Sequence, residues 1–330
     1  MWFGVEFIPS EDIDHIVAYA RLTEMSEIDY IWVTDHYTNR DPFVTLTTIA
    51  QATSRVRLGP GATNPYTRRP AVIASGIASI DEISYGRAVL GITSGDPSIL
   101  HALGIEIKRP LRMIRDSVNI IRSLLRGETV NYESEFFKYN NARLHFKPKN
   151  KIPIYIGGMG PKMLELAGEI GEGVLINASH PEDIHLARKA IKKGMEKANR
   201  SSLEMDIASY SCFSIDRNLK KAQNAAKRVL PFIVAGAPRI VTERHGLPSE
   251  DVTLVRDSLW SGNYKKAVES ITDGMIEAFS ICGTPNEVVM KIEEFINIGV
   301  TQIIVGSPIG PVQRDSIDLL RKIVIPKVGK

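Results

Sequence analysis

Three acids and one histidine stand directly after short apolar runs, where a side chain can be held rigidly and still reach solvent. Glu6 lies inside Phe3-Gly4-Val5-Glu6-Phe7-Ile8, Asp35 and His36 follow Tyr30–Thr34, and Asp96 closes Thr93-Ser94-Gly95-Asp96. A carboxylate in an apolar strand is costly unless it is hydrogen-bonded or kept protonated, and either condition suits acid–base work. Each residue also has a plainer reading. Glu6 could bond a neighbouring strand end, Asp35 could cap a helix or fix a loop, and His36 could be a half-buried histidine with ordinary partners. Asp96, just before Pro97-Ser98, could cap the next helix.

Two glycine-rich segments sit at equivalent places. Gly157-Gly158-Met159-Gly160-Pro161-Lys162 ends a strand and opens a helix. Glycine lets backbone approach a ligand, and the amides of a first helical turn attract anions. The segment is neither GxxxxGK[ST] nor GxGxxG, so P-loop and Rossmann fingerprints are both absent. Gly59-Pro60-Gly61-Ala62-Thr63-Asn64-Pro65-Tyr66 crowds backbone breakers at the end of a buried strand, which predicts a distorted backbone or bulge.

The elements that must position these residues can be read from the apolar runs. Strands are expected near Trp2–Ile8, Tyr30–Thr34, Val56–Gly59, Ala88–Thr93, Ile154–Ile156, Gly173–Ile176, Met205–Ser214 and Gln302–Val305. The runs are mostly unalternated, as a parallel sheet buried on both faces requires. Leu111, Ile114, Val118, Ile121 and Leu125 share one helix face. Val288, Ile292, Phe295 and Ile296 do the same after a cap at Thr284-Pro285, with Gly299 as the stop. Eight strands alternating with helices predict an α/β fold of the (β/α)8 TIM-barrel type, whose working face is the carboxyl end of the strands. All the residues singled out above fall there, together with Thr93, Asn64 and Asn177.

The spacing between strands four and five leaves room for a small hairpin around Val130–His145. A helical insertion is expected at about 216–282, before strand eight, and no boundary divides 1–330 into separate domains.

Composition narrows the classes. Forty-one Lys+Arg against 38 Asp+Glu leave a net charge of +3, too balanced to suggest a nucleic-acid or membrane-surface binder. No window approaches the apolar length of a membrane span, and the N-terminus lacks the layout of a signal peptide. Cys212 and Cys282 form no CxxC pair, which argues against a disulfide framework or thiolate cluster and fits a cytoplasmic enzyme. The histidines are scattered and lack HExxH spacing, so no metal site is expected.

The chain resembles the bacterial-luciferase-like superfamily of flavin- and deazaflavin-dependent barrels. The resemblance is carried by Gly4-Val5-Glu6-Phe7, Trp32-Val33-Thr34-Asp35-His36, Leu58 through Arg68, and Tyr155 through Gly168. The Thr-Asn-Pro-Tyr-Thr and Gly-Pro-Lys-Met-Leu-Glu-Leu-Ala segments are typical of its deazaflavin branch. The resemblance implies an oxidoreductase that passes a hydride from reduced coenzyme F420 to a tetrahydromethanopterin-bound one-carbon group, in a homodimer or homotetramer.

The resemblance also implies a non-prolyl cis bond at Gly61–Ala62 behind the deazaflavin ring. The polar edge of the ring would lie near Asp35 and His36, and the phosphate at Gly157 and Gly158. Further cofactor contacts would come from Asn64, Thr93 and Asn177. Glu6 is then the expected proton donor, with Asp96 as a second acid or pterin anchor. Sibling activities share the same motifs: an F420-dependent alcohol or sugar-phosphate dehydrogenase, or an FMN-dependent monooxygenase. A barrel that binds flavin without catalysis is the non-enzymatic alternative, and the rim acids argue against it.

Overall fold

A computed structural model describes residues 1–201 and 205–329. Eleven strands are present among the described residues: β1 (Trp2–Phe7), β2 (Tyr30–Val33), β3 (Arg57–Pro60), β4 (Leu90–Ile92), β5 (Val130–Glu133), β6 (Lys138–Ala142), β7 (Ile154–Gly157), β8 (Gly173–Ile176), β9 (Asp206–Ile215), β10 (Ser280–Gly283) and β11 (Gln302–Ile309). The sheet order is β3-β2-β1-β11-β9-β8-β7-β4, with β10 pairing β9. Parallel bridges Leu58↔Ala88 and Thr63↔Ile92 join β3 to β4 and complete the ring. This is the (β/α)8 barrel expected from the apolar runs. Every residue of β2, β7 and β8 is buried, which is why those runs show no alternation.

The chain divides into two compact units. The larger comprises Gly4–Ile176 and Leu186–Ala208, and holds β2 through β8 with most of β1. Gly59 brings β3 against β4 so closely that a Cβ there would stand 1.8 Å from the Val89 carbonyl oxygen, so glycine is required. Low in this unit, Tyr30 stacks on the fully buried Trp32 with centroids 5.9 Å apart. Tyr155 meets Trp32 edge-on at 5.1 Å and donates its hydroxyl to Asp206 at 2.7 Å. The helix Pro110–Leu125 buries Ile114, Val118, Ile121 and Leu125, the stripe read from sequence. The expected hairpin is β5–β6, paired antiparallel.

The smaller unit comprises Met1–Phe3, Asn177–His185 and Ser209–Lys330. Its own core gathers Leu230, Val234, Val252, Val255, Met275, Ile276 and Phe279 around Cys212 and Cys282. Six helices between Leu219 and Phe279 make up the expected insertion. The helix Pro285–Asn297 opens with Glu287 accepting from both the N–H and the hydroxyl of Thr284, at 2.7 and 2.6 Å. Two features were not anticipated. Ser280–Gly283, assigned from sequence to the insertion, is strand β10. The last strand continues through Gly306-Ser307-Pro308, where it was expected to end, and carries a cis Ser307–Pro308 bond.

Candidate functional site

The rim residues of the larger unit are fixed by side chains that tie one strand end to the next. Asp35, just beyond β2, has a side chain only 7% exposed. It accepts from Thr63 Oγ1 at 2.6 Å and from Arg68 through Nε at 3.0 Å and Nη2 at 3.3 Å. Arg68 also donates to Asp41 at 2.6 Å, and Asp41 caps the helix Pro42–Ala52 through the Phe43 and Val44 amides. Burial opposes the Arg68 charge, but Asp35 and Asp41 outweigh it and hold the guanidinium above its ordinary pKa. Burial likewise opposes ionisation of Asp41, yet Arg68 and the two amides keep that carboxyl below the usual range.

From Thr63 the network continues across β4. Its carbonyl accepts from the Thr93 amide at 2.9 Å, and Thr93 Oγ1 donates to the Gly157 carbonyl at 3.3 Å. A Cβ on Gly157 would lie 3.1 Å from Thr93 Cβ, so the two strand ends pack with almost no gap. Asp35, Thr63, Thr93 and Gly157 thus form one bonded line along the rim. The bond Gly61–Ala62, which leads into Thr63, is cis, as expected. The Gly61 amide donates to Val33 at 2.8 Å, and a Cβ on Gly61 would meet Trp32 Cβ at 2.7 Å. Ala62 is half-buried beside it.

The remaining residues take distinct positions. Glu6 is half-buried on β1, in register with Trp32. Asn64 is buried, and its carbonyl oxygen accepts from the Tyr66 and Thr67 amides at 3.1 and 2.9 Å. Its amide nitrogen donates to nothing among the described residues, and the His36 ring there makes no hydrogen bond either. Gly158 donates to Leu175 at 3.1 Å, and the following helix, Pro161–Ile170, begins without a side-chain cap. Asp96 is exposed, and one of its oxygens accepts from the Ser98 amide, the Ser98 hydroxyl and the Ile99 amide. The capping alternative for Asp96 is therefore realised. Asn177 follows β8, is exposed, and belongs to the smaller unit.

Sequence reasoning singled out neither Thr63 nor Arg68 as a site residue. Both lie in the breaker-rich segment, and the available signal was Asp35 itself. A carboxylate ending a buried strand demands a cation, and Arg68 stands in the next rim loop.

Comparison with known proteins gives a consistent result. The model of the family described as luciferase-like monooxygenase matches residues 4–302. A 5,10-methylenetetrahydromethanopterin reductase of Archaeoglobus fulgidus is 48% identical, over 99% of this chain and 100% of its own length. One from Methanolobus tindarius is 46% identical over 98% and 100%. The solved structure of the coenzyme F420-dependent tetrahydromethanopterin reductase of Methanopyrus kandleri superposes with a TM-score of 0.96, at 40% identity and 99% coverage of both chains.

Proposed function

Because the chain belongs to the luciferase-like monooxygenase family and, within it, to the 5,10-methylenetetrahydromethanopterin reductases, we propose a mechanism for that reaction built on the rim of the larger unit. The protein is an oxidoreductase that transfers a hydride from reduced coenzyme F420 to 5,10-methylenetetrahydromethanopterin, giving the 5-methyl compound in the one-carbon chemistry of methanogenesis. The observation that carries this reading is the end-to-end match to the A. fulgidus reductase.

The residues present suit a flat ring with a phosphate tail. The helix after Gly160 lacks a side-chain cap, and a Cβ on Gly160 would meet nothing within 4 Å. Pro161 has no N–H and the Met163 amide donates to the Gly160 carbonyl at 3.0 Å, which leaves the Lys162 amide to meet an anion, with Gly157 and Gly158 leading to it. Gly61 and Ala62 would back the ring, Asp35 and His36 would lie at its polar edge, and Asn64 and Thr93 would supply further contacts. When bound, F420 supplies a hydride from C5 of its ring.

The work of the chain is positioning and proton transfer. Arg68 and Thr63 orient Asp35, and Thr93 locks the bulge to β7, so the ring platform is set before the substrate arrives. Opening of the imidazolidine ring of the substrate leaves an arylamine nitrogen that takes a proton. Glu6 donates it, and Asp96 is the second choice or a pterin anchor. Residues 1–330 act as one luciferase-like barrel domain, working as a homodimer or homotetramer in the cytoplasm. Val44 and Val72, exposed on two adjacent barrel helices, support association, and no described helix is long and apolar enough to cross a membrane.

The test is anaerobic. Reduced F420 and methylenetetrahydromethanopterin are mixed with protein and the oxidised deazaflavin absorbance is followed, with FMN plus oxygen and NADPH as parallel arms. Pterin-dependent oxidation with F420 alone is expected. Glu6→Gln should lower kcat by roughly 10²–10⁴-fold with F420 affinity nearly unchanged. A wild-type rate in Glu6→Gln removes Glu6 as the acid, and activity confined to FMN and oxygen removes the reductase reading.

A further inference from the structure

Outside the rim of the larger unit, the smaller unit gathers a second set of chemically able side chains. One ring nitrogen each from His180 and His245 and a Glu182 carboxylate oxygen lie within 4.8 Å of one another. We propose that His180, Glu182 and His245 form a binding site for a divalent transition-metal ion of the zinc class.

The ligands come from two places in the chain, the turn that enters the helix Pro181–Lys197 and the end of the helix Arg239–Arg244 in the insertion. Two imidazoles and a carboxylate form the donor set that a borderline ion prefers, with a fourth position left for water or another ligand. Ligand atoms about 2.1 Å from a tetrahedral ion stand about 3.4 Å apart, so small side-chain rotations close the site.

The surroundings match what metal-bound histidines need. His245 Nε2 lies 2.9 Å from Asp183 Oδ2, with the ring only 4% exposed. A carboxylate can only accept, so Nε2 carries the proton and the lone pair of His245 is on Nδ1. Asp183 is thereby the outer carboxylate that orients a metal-bound imidazole, and its other oxygen accepts from Arg244. Phe279 holds the His245 ring edge-on at 6.0 Å, and the two imidazoles stand 4.6 Å apart, centroid to centroid. The His180 Nδ1 lone pair receives only a 3.2 Å bond from the Glu182 amide, which an ion would replace. Arg244 offsets the Asp183 charge, leaving Glu182 as the anion that faces the incoming cation.

Cobalt(II) and zinc(II) salts are the probes. Full-length protein stripped with a chelator is titrated with Co2+ while the visible d–d absorption is followed, and melting is recorded with and without Zn2+. The expected result is saturation near one equivalent and a rise in Tm with zinc. Glu182→Gln and His180→Gln should bind Co2+ at least ~10-fold more weakly and lose the zinc-dependent rise. Glu182 is exposed, so Glu182→Gln should melt like the stripped wild type. Absence of saturable binding in the wild type, or equal binding in both variants, overturns the proposal. Neither readout depends on reductase activity, so failure here leaves the proposed function standing.

Discussion

Replacing Arg68 by methionine is the most informative perturbation of the rim. The substitution keeps much of the apolar stem and removes the guanidinium, whose carbon lies 5.2 Å from the centre of the Phe43 ring. Asp35, only 7% exposed, would then keep a single neutral donor, Thr63 Oγ1 at 2.6 Å. Asp41 would lose its 2.6 Å partner but retain the Phe43 and Val44 amides. Breaking one side of a buried ion pair costs about 3–5 kcal/mol, because the surviving charge stays desolvated. The Arg68 side chain is 24% exposed, so water can reach part of the vacated space and the expected loss falls to about 2–4 kcal/mol.

Urea unfolding followed by circular dichroism and by tryptophan fluorescence measures that loss, and a cycle with Asp35→Asn isolates the pair. A coupling of about 2 kcal/mol is expected between Arg68→Met and Asp35→Asn. Arg68→Lys should recover only part of the loss, since one ammonium cannot fork between two carboxylates. Because Asp35 also holds Thr63, beside the residues proposed to line the cofactor, Arg68→Met should weaken F420 binding as well. A loss below about 1 kcal/mol, or zero coupling, would refute the view that this ion pair holds the rim together.

Other parts of the structure give further expectations. Burial of Glu172 opposes its ionisation, but Lys151, Arg122 and the Ile154 amide outweigh that and hold its carboxyl below the ordinary 4.5. Its stabilising contribution is therefore complete above pH 4.5 and lost as pH falls through the lower folded value. Glu172→Gln should melt below wild type at neutral pH, with the gap closing under strong acid. Burial pushes the Cys282 thiol up to about 12, and Cys212 is buried, so neither should react with a thiol reagent until the chain unfolds. Asp96→Asn keeps a good helix cap while removing the charge, so turnover should stay within about threefold of wild type if Glu6 is the acid. A Cβ on Gly158 would lie 2.5 Å from Met163 Cγ, so Gly158→Val should displace the first turn of the next helix and raise the F420 Kd, read by fluorescence titration.

What could be read from sequence was whatever a local pattern encodes. The runs Tyr30–Val33 and Gly173–Ile176 announced strands buried on both faces because every residue in them is apolar or glycine. Asp96 could be read as a cap because its partners are two and three residues away. β10 was missed because Ser280 follows the helix Asp273–Phe279 with no intervening turn or breaker, and four residues are too few to show a period. The ion pair of Asp35 with Arg68 spans thirty-three positions, and the His180–His245 contact spans more. No spacing rule applies at such separations. Only the fold supplies the partner.

The rim acids therefore separate by what their oxygens already do. Asp35 is used as an acceptor in every hydrogen bond recorded for it, from a hydroxyl and from both arms of a guanidinium. Asp96 is likewise an acceptor, for two amides and a hydroxyl at a helix start. A group that works by accepting fixed donors serves geometry, because releasing a proton to substrate would require breaking the contacts that hold it. Glu6 differs in its place, since it lies half-buried near the end of the apolar strand β1 and caps no helix. A carboxyl is retained in such a place when its chemistry offsets the desolvation cost. The proposed division of labour is that Asp35, Thr63, Arg68 and Thr93 hold the platform still while Glu6, on the strand itself, supplies the proton, and the Glu6→Gln and Asp96→Asn rates decide between the two acids.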